Sequence, residues 1–100
     1  MTAADEVRKV YDEDLRLVLL RLLKEYGAAL NTSTLEKSLR AWGFRAIDRS
    51  TVATHCRWLS HQGLVDVEEL RSDVLMVALK PKGARVAAGD EWIDGVAQPS

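Results

Sequence analysis

Three amphipathic stretches, each closed by a glycine and followed by two short β-rich runs, constrain this chain more than any single motif. The glycines are Gly27, Gly43 and Gly63. A glycine just past an apolar periodicity stops a helix because it takes the left-handed conformation without a Cβ clash. Before Gly27, the residues Val7, Val10, Tyr11, Leu15, Val18, Leu19, Leu22, Leu23 and Tyr26 recur at steps of three and four. That spacing predicts a long helix over about 5–26. Leu17 and Leu20 widen its stripe, so this helix is either central in the fold or shared with a second subunit.

Between Gly27 and Gly43, the run Ser33-Thr34-Leu35-Glu36 has capping-box spacing, and Leu35, Leu39 and Trp42 supply the apolar side of a second helix. Phe44 to Ile47 connect it to a third helix over 49–62, with Asp48 as its cap and Gly63 as its stop. Two strands are predicted over 64–68 and 74–79, joined by a turn at 69–73 into an antiparallel hairpin. Pro81 suits the first turn of a short helix over 82–88. The predicted fold is mainly α with a small antiparallel β-hairpin, namely a winged helix-turn-helix: a three-helix core, a wing and a short C-terminal helix. It occupies residues 1–88, and 89–100 form a partly ordered tail whose Trp92 and Ile93 are buried either on the chain itself or in a two-fold interface.

The third helix concentrates the chain's chemistry, "DRSTVATHCRWLSHQG". At about 100° per residue, Val52, Cys56 and Leu59 share an inner side, while Ser50, Thr54, Arg57 and His61 share the outer one, flanked by Thr51 and Trp58. His55 and Cys56 are adjacent and diverge on a helix, so they neither ligate one ion nor form a nucleophile pair. No metal site, cofactor or enzymatic activity is expected, and Cys56 reads as a small hydrophobe. Trp42 and Trp58 read as packing between the second and third helices.

The outer face suits duplex DNA. Short hydroxyls at Ser50, Thr51 and Thr54 let a helix approach the major groove, and Arg49, Arg57 and His61 reach phosphates or base edges. Arg45 in the preceding turn, and Lys37 or Arg40 on the second helix, are placed to hold flanking phosphates. Net charge is only −1, but residues 31–63 carry five basic against two acidic side chains, an excess of +3. The wing opposes this: Asp66, Glu68, Glu69 and Asp73 surround Arg71, so a monomer should bind weakly and a dimer be needed. Helix one with the C-terminal region is the expected homodimer surface. A winged-helix module that binds a protein partner and no nucleic acid is the alternative. One cysteine and no long apolar run make the cytoplasm the expected location, with no membrane partner.

The patterns "LRLVLLRLL", "LNTSTLEKSLRAWGF" and "DRSTVATHCRWLSHQGLV", with the ending "Gly83…Val86-Ala87-Ala88-Gly89…Gly95-Val96…Pro99", resemble small ArsR-like winged-helix regulators of Mu-like phages and prophages. The resemblance spans nearly the whole chain. It implies a winged-helix fold, a phage or prophage origin and, through the fold, DNA-binding regulation; the partner of the alternative module would then be a phage or host protein. Metal sensing is not implied, because ArsR-type sensors pair thiolates on this helix and the chain has Cys56 alone.

Overall fold

The computed structural model describes residues 2–99. Thr2 opens α1 (Ala3–Tyr26) through a reciprocal capping box with Asp5, and Gly27 closes it at φ 77°. Next come β1 (Leu30–Asn31), α2 (Thr32–Trp42), α3 (Arg49–His61), β2 (Val65–Arg71), β3 (Val74–Leu79) and α4 (Pro81–Ala88). The three strands form one antiparallel sheet in the order β1-β3-β2. None of these helices is long and apolar enough to cross a membrane.

One core joins all these layers. Leu15, Leu19, Leu20 and Leu23 of α1 meet Leu35 and Leu39 of α2, Val52, Cys56 and Leu59 of α3, and Leu75 and Val77 of β3. Leu17 and Leu20 are 6% and 0% exposed. The width of the α1 stripe therefore reflects a central helix, wrapped by the rest of its own chain. Its two ends stand clear, leaving Val7 and Val10 in solvent at the first turns and Tyr26 at the last.

Several local expectations are corrected. The cap of α2 is Asn31, not Ser33: its Oδ1 accepts the Thr34 N–H at 2.8 Å. Thr32 is thereby freed for another task. Fully buried, its hydroxyl donates to the Asp73 carbonyl at 2.8 Å and accepts the Leu75 N–H at 3.2 Å, tying the start of α2 to the hairpin. The hairpin strand β2 runs to Arg71, leaving Ser72-Asp73 as a tight turn with Asp73 at φ 58°. Aspartate is among the few side chains that tolerate this region. Trp42 is 63% exposed rather than packed between α2 and α3.

Beyond α4, the chain folds back along α1. The Ala97 N–H donates to the Glu13 carbonyl at 3.1 Å. Val96 is buried and Ile93 packs on the core, whereas Trp92 is 70% exposed, which removes burial on its own chain from its two expected settings.

Candidate nucleic-acid interface

Asp48 sets the entry of α3 by accepting the Thr51 N–H at 2.8 Å, and that bond holds its carboxyl below the ordinary carboxylate range. A charged cap at a helix N-terminus is favourable because the first amide groups otherwise lack acceptors. From this start the helix turns Val52, Ala53, Cys56 and Leu59 fully inward. Burial pushes the Cys56 thiol up to about 12, so it holds its proton and is a poor ligand or nucleophile near neutral pH.

The opposite face carries the residues singled out for contact. Arg49, Ser50, Thr51, Thr54 and His61 are all exposed, as are Arg45 in the preceding turn and Arg71 at the end of β2. The Thr54 hydroxyl donates back to the Ser50 carbonyl at 3.0 Å, leaving its oxygen lone pairs outward. Arg57 is different. Its guanidinium donates to Glu69 Oε1 at 3.0 Å and to Asp73 Oδ1 at 3.4 Å. The acidic β2–β3 hairpin is thus folded against α3 and neutralises the outward arginine at the middle of that helix. Arg40 is also committed, to Glu36 at 3.0 Å and to the Ile47 carbonyl at 3.0 Å. Lys37, Arg45, Arg49 and Arg71 have no ion-pair partner among the described residues.

A polar network behind the helix had no signal in the sequence. His55 is buried, its Nδ1 accepts from Arg16 Nε at 3.2 Å, and its Nε2 faces Asp12 at 3.7 Å. The same guanidinium lies 4.1 Å from the centre of the Trp58 ring and donates to the Gly95 carbonyl at 3.0 Å. Arg16 therefore joins α1, α3 and the tail, by hydrogen bonds and a cation–π contact. A Cβ at Gly95 would lie 2.6 Å from the Trp58 ring, which requires glycine there. Trp58 thus packs beneath α1 and the tail, not between α2 and α3.

Burial, and then the neighbouring Arg16 charge, hold the His55 pKa below its ordinary value. The unfolded chain accepts a proton near pH 6.5, whereas the folded chain resists it. Stability is therefore expected to fall as pH drops below about 6.5, by up to about 1.4 kcal/mol per unit from this group. Thermal melts from pH 7.5 to 5 should show this slope in the parent and a shallower one in His55→Gln. Equal slopes would mean that other groups carry the dependence.

Among the described residues these features define a mainly helical domain of four helices and a three-stranded antiparallel sheet, whose α3 and hairpin share one face. That fold is similar to RosR of H. salinarum, with a TM-score of 0.65 and 20% identity, over 76% of this chain and 67% of RosR. A RosR complex structure matches with a TM-score of 0.63 and 20% identity, over 75% and 65%. At that identity the likeness is one of fold alone. The chain belongs to the family of gp26 of Escherichia phage Mu: the two are 37% identical over 93 residues, 93% of this chain and 95% of the phage protein. A Haemophilus influenzae protein is 33% identical over 78 residues, 78% of this chain and 76% of that protein. No protein-family profile matches the chain.

Proposed function

We propose that this protein is a winged-helix DNA-binding regulator of phage or prophage type. In this reading α2 and α3 form the helix-turn-helix, β2 and β3 the wing, and α3 enters the major groove, two copies reading two half-sites. Ser50, Thr51 and Thr54 allow close approach, Arg49 and Arg57 contact phosphates or guanine edges, and His61 lies at the far end of the same face. Arg45 and Arg71 hold the flanking backbone. The observation that carries this reading is the division of α3. Its inner side is fully buried in the core, while its first two turns offer only short hydroxyls and an unpaired arginine to solvent. Metal sensing of the ArsR type and enzymatic chemistry form no part of it.

Selection over random duplexes at low salt tests it. Enrichment of a short palindrome is expected, and Arg49→Ala with Thr54→Ala should weaken binding to that duplex by about tenfold or more. The two residues are exposed, so the melting temperature should hardly move. Absence of any enrichment sinks the reading.

One observation favours a second reading, a winged-helix module for a protein partner. The wing places Glu69 and Asp73 on the outward arginine of α3, which lowers the attraction of this face for phosphates. A stoichiometric protein partner that is lost on mutation of α3, with no retention on DNA, would establish it.

A further inference from the structure

Two tryptophans lie in solvent, Trp42 at 63% and Trp92 at 70% exposure. Each is an unusual amount of apolar surface for a monomer to leave wet. Trp42 forms one wall of a groove of about 490 Å³, with Val18, Leu22, Arg21 and Lys24 of α1 and Ala87 of α4. Glu25 lines it too, leaving one net positive charge among its charged side chains, and no residue of α3 lines it. Neither Arg21 nor Lys24 has an ion-pair partner among the described residues. Trp92 stands just beyond α4, between Asp90 and Asp94, and these two acids are equally unpaired. Glu91 is occupied by Arg85 at 3.0 Å and Lys82 at 3.9 Å, which fixes this segment to α4.

We infer that a second copy of this chain seats its Trp92 in this groove, with Asp90 and Asp94 against Arg21 and Lys24, reciprocally about a two-fold axis. The groove is basic and apolar, and the segment offered is acidic and aromatic, so the two complement each other. Both lie at the C-terminal end of α4, since Ala87 lines the groove and Trp92 follows five residues later. A surface carrying both a seat and its occupant is self-complementary, and closure by a two-fold axis then fills two seats at once. Two small aromatic seats correspond to a modest interface, and so to a dissociation constant on the order of micromolar. Because α3 does not contribute, the pairing leaves its outer face free. The inference deepens the dimeric half of the reading above and stands without its DNA half.

Sedimentation velocity on the full chain without DNA, from about 1 to 100 μM, tests it. The parent is expected to pass from monomer to dimer across this range, and Trp92→Ala to dimerise at least about thirtyfold more weakly, as for a buried aromatic anchor. Charge reversal supplies the stricter control. Arg21→Glu with Lys24→Glu makes groove and tail both acidic, and Asp90→Lys with Asp94→Lys makes both basic. Each double variant should be monomeric alone, and their mixture should form a heterodimer with both seats restored. Unchanged melting temperatures confirm that these surface changes leave the fold intact. A parent that stays monomeric, a Trp92→Ala that pairs like the parent, or a mixture that fails to pair overturns the proposal. Open-ended growth beyond a dimer overturns it as well.

Discussion

Gly83→Ala is expected to destabilise the domain by about 2 kcal/mol, lowering the melting temperature by roughly 8–16 °C for a chain of this size. By helix propensity alone the substitution should help, since alanine is favoured over glycine by about 1 kcal/mol within a helix. Gly83 lies inside α4, however, and its Cβ would overlap the Leu64 carbonyl oxygen while lying 2.8 Å from Leu79 Cδ1. That carbonyl already accepts the Lys80 N–H at 3.0 Å, so moving α4 away strains the bond that joins it to the α3–β2 connection. Backbone overlap cannot be relieved by a rotamer change, and the overpacking term outweighs the propensity term. Gly27→Ala is the comparison: nothing lies within 4 Å of its added Cβ, and only the φ of +77° is violated. It should cost about 1 kcal/mol. A Gly83→Ala protein that melts no lower than Gly27→Ala would show that α4 shifts freely, and would refute the close-contact argument.

α2 and α3 were legible because each has a periodic apolar face, a capping side chain and a glycine stop within a few positions of one another, whereas α1 rested on its periodicity and Gly27, and α4 on Pro81 at its first turn. The inner face of α3 follows from the same local geometry, and Val52, Cys56 and Leu59 are all fully buried. What escaped depends on residues far apart in the chain. β1 is two residues long, too short for any alternation, and exists because β3 offers Val77 and Met76 as partners to Leu30 and Asn31. Asn31 could not be separated from Ser33 as the cap of α2 without knowing that Thr32 is taken up by the Asp73 carbonyl, 41 positions away. Arg16 reaches His55 across 39 positions and Gly95 across 79. Trp42 is exposed rather than packed, and the sequence leaves Trp92 between its own chain and a second copy, because an indole's hydrophobicity says that it should be covered, not by which surface. The outward direction of Ser50, Thr54, Arg57 and His61 was readable from the helix wheel. That Arg57 would be held by the wing was not, since the wheel places a side chain on a face but cannot say what folds over it.

Replacing those wing acids, Glu69→Gln with Asp73→Asn, is expected to raise affinity for duplex DNA by about tenfold at low salt, or roughly 1.4 kcal/mol. Arg57 lies 3.0 Å from Glu69 and 3.4 Å from Asp73, so it meets an approaching phosphate already neutralised, with two carboxylates adding repulsion. Removing both charges leaves an unpaired guanidinium on the contact face. The plot of log K against log salt should then steepen by about one, as for one more neutralised phosphate. Folding should be little affected, because the Glu69 and Arg57 side chains are 61% and 40% exposed, and exposed pairs contribute at most about 1 kcal/mol. Asparagine at position 73 preserves the left-handed turn at φ 58° and keeps the carbonyl that receives the Thr32 hydroxyl. Arg57→Ala separates the causes: added to the double variant it should remove the gained salt slope, whereas a general loss of wing repulsion would survive it. A double variant that melts normally but binds no tighter than the parent would place Arg57 away from the DNA. The contact face would then have its acids as a working part, and a basic protein surface would fit it better than a phosphate backbone.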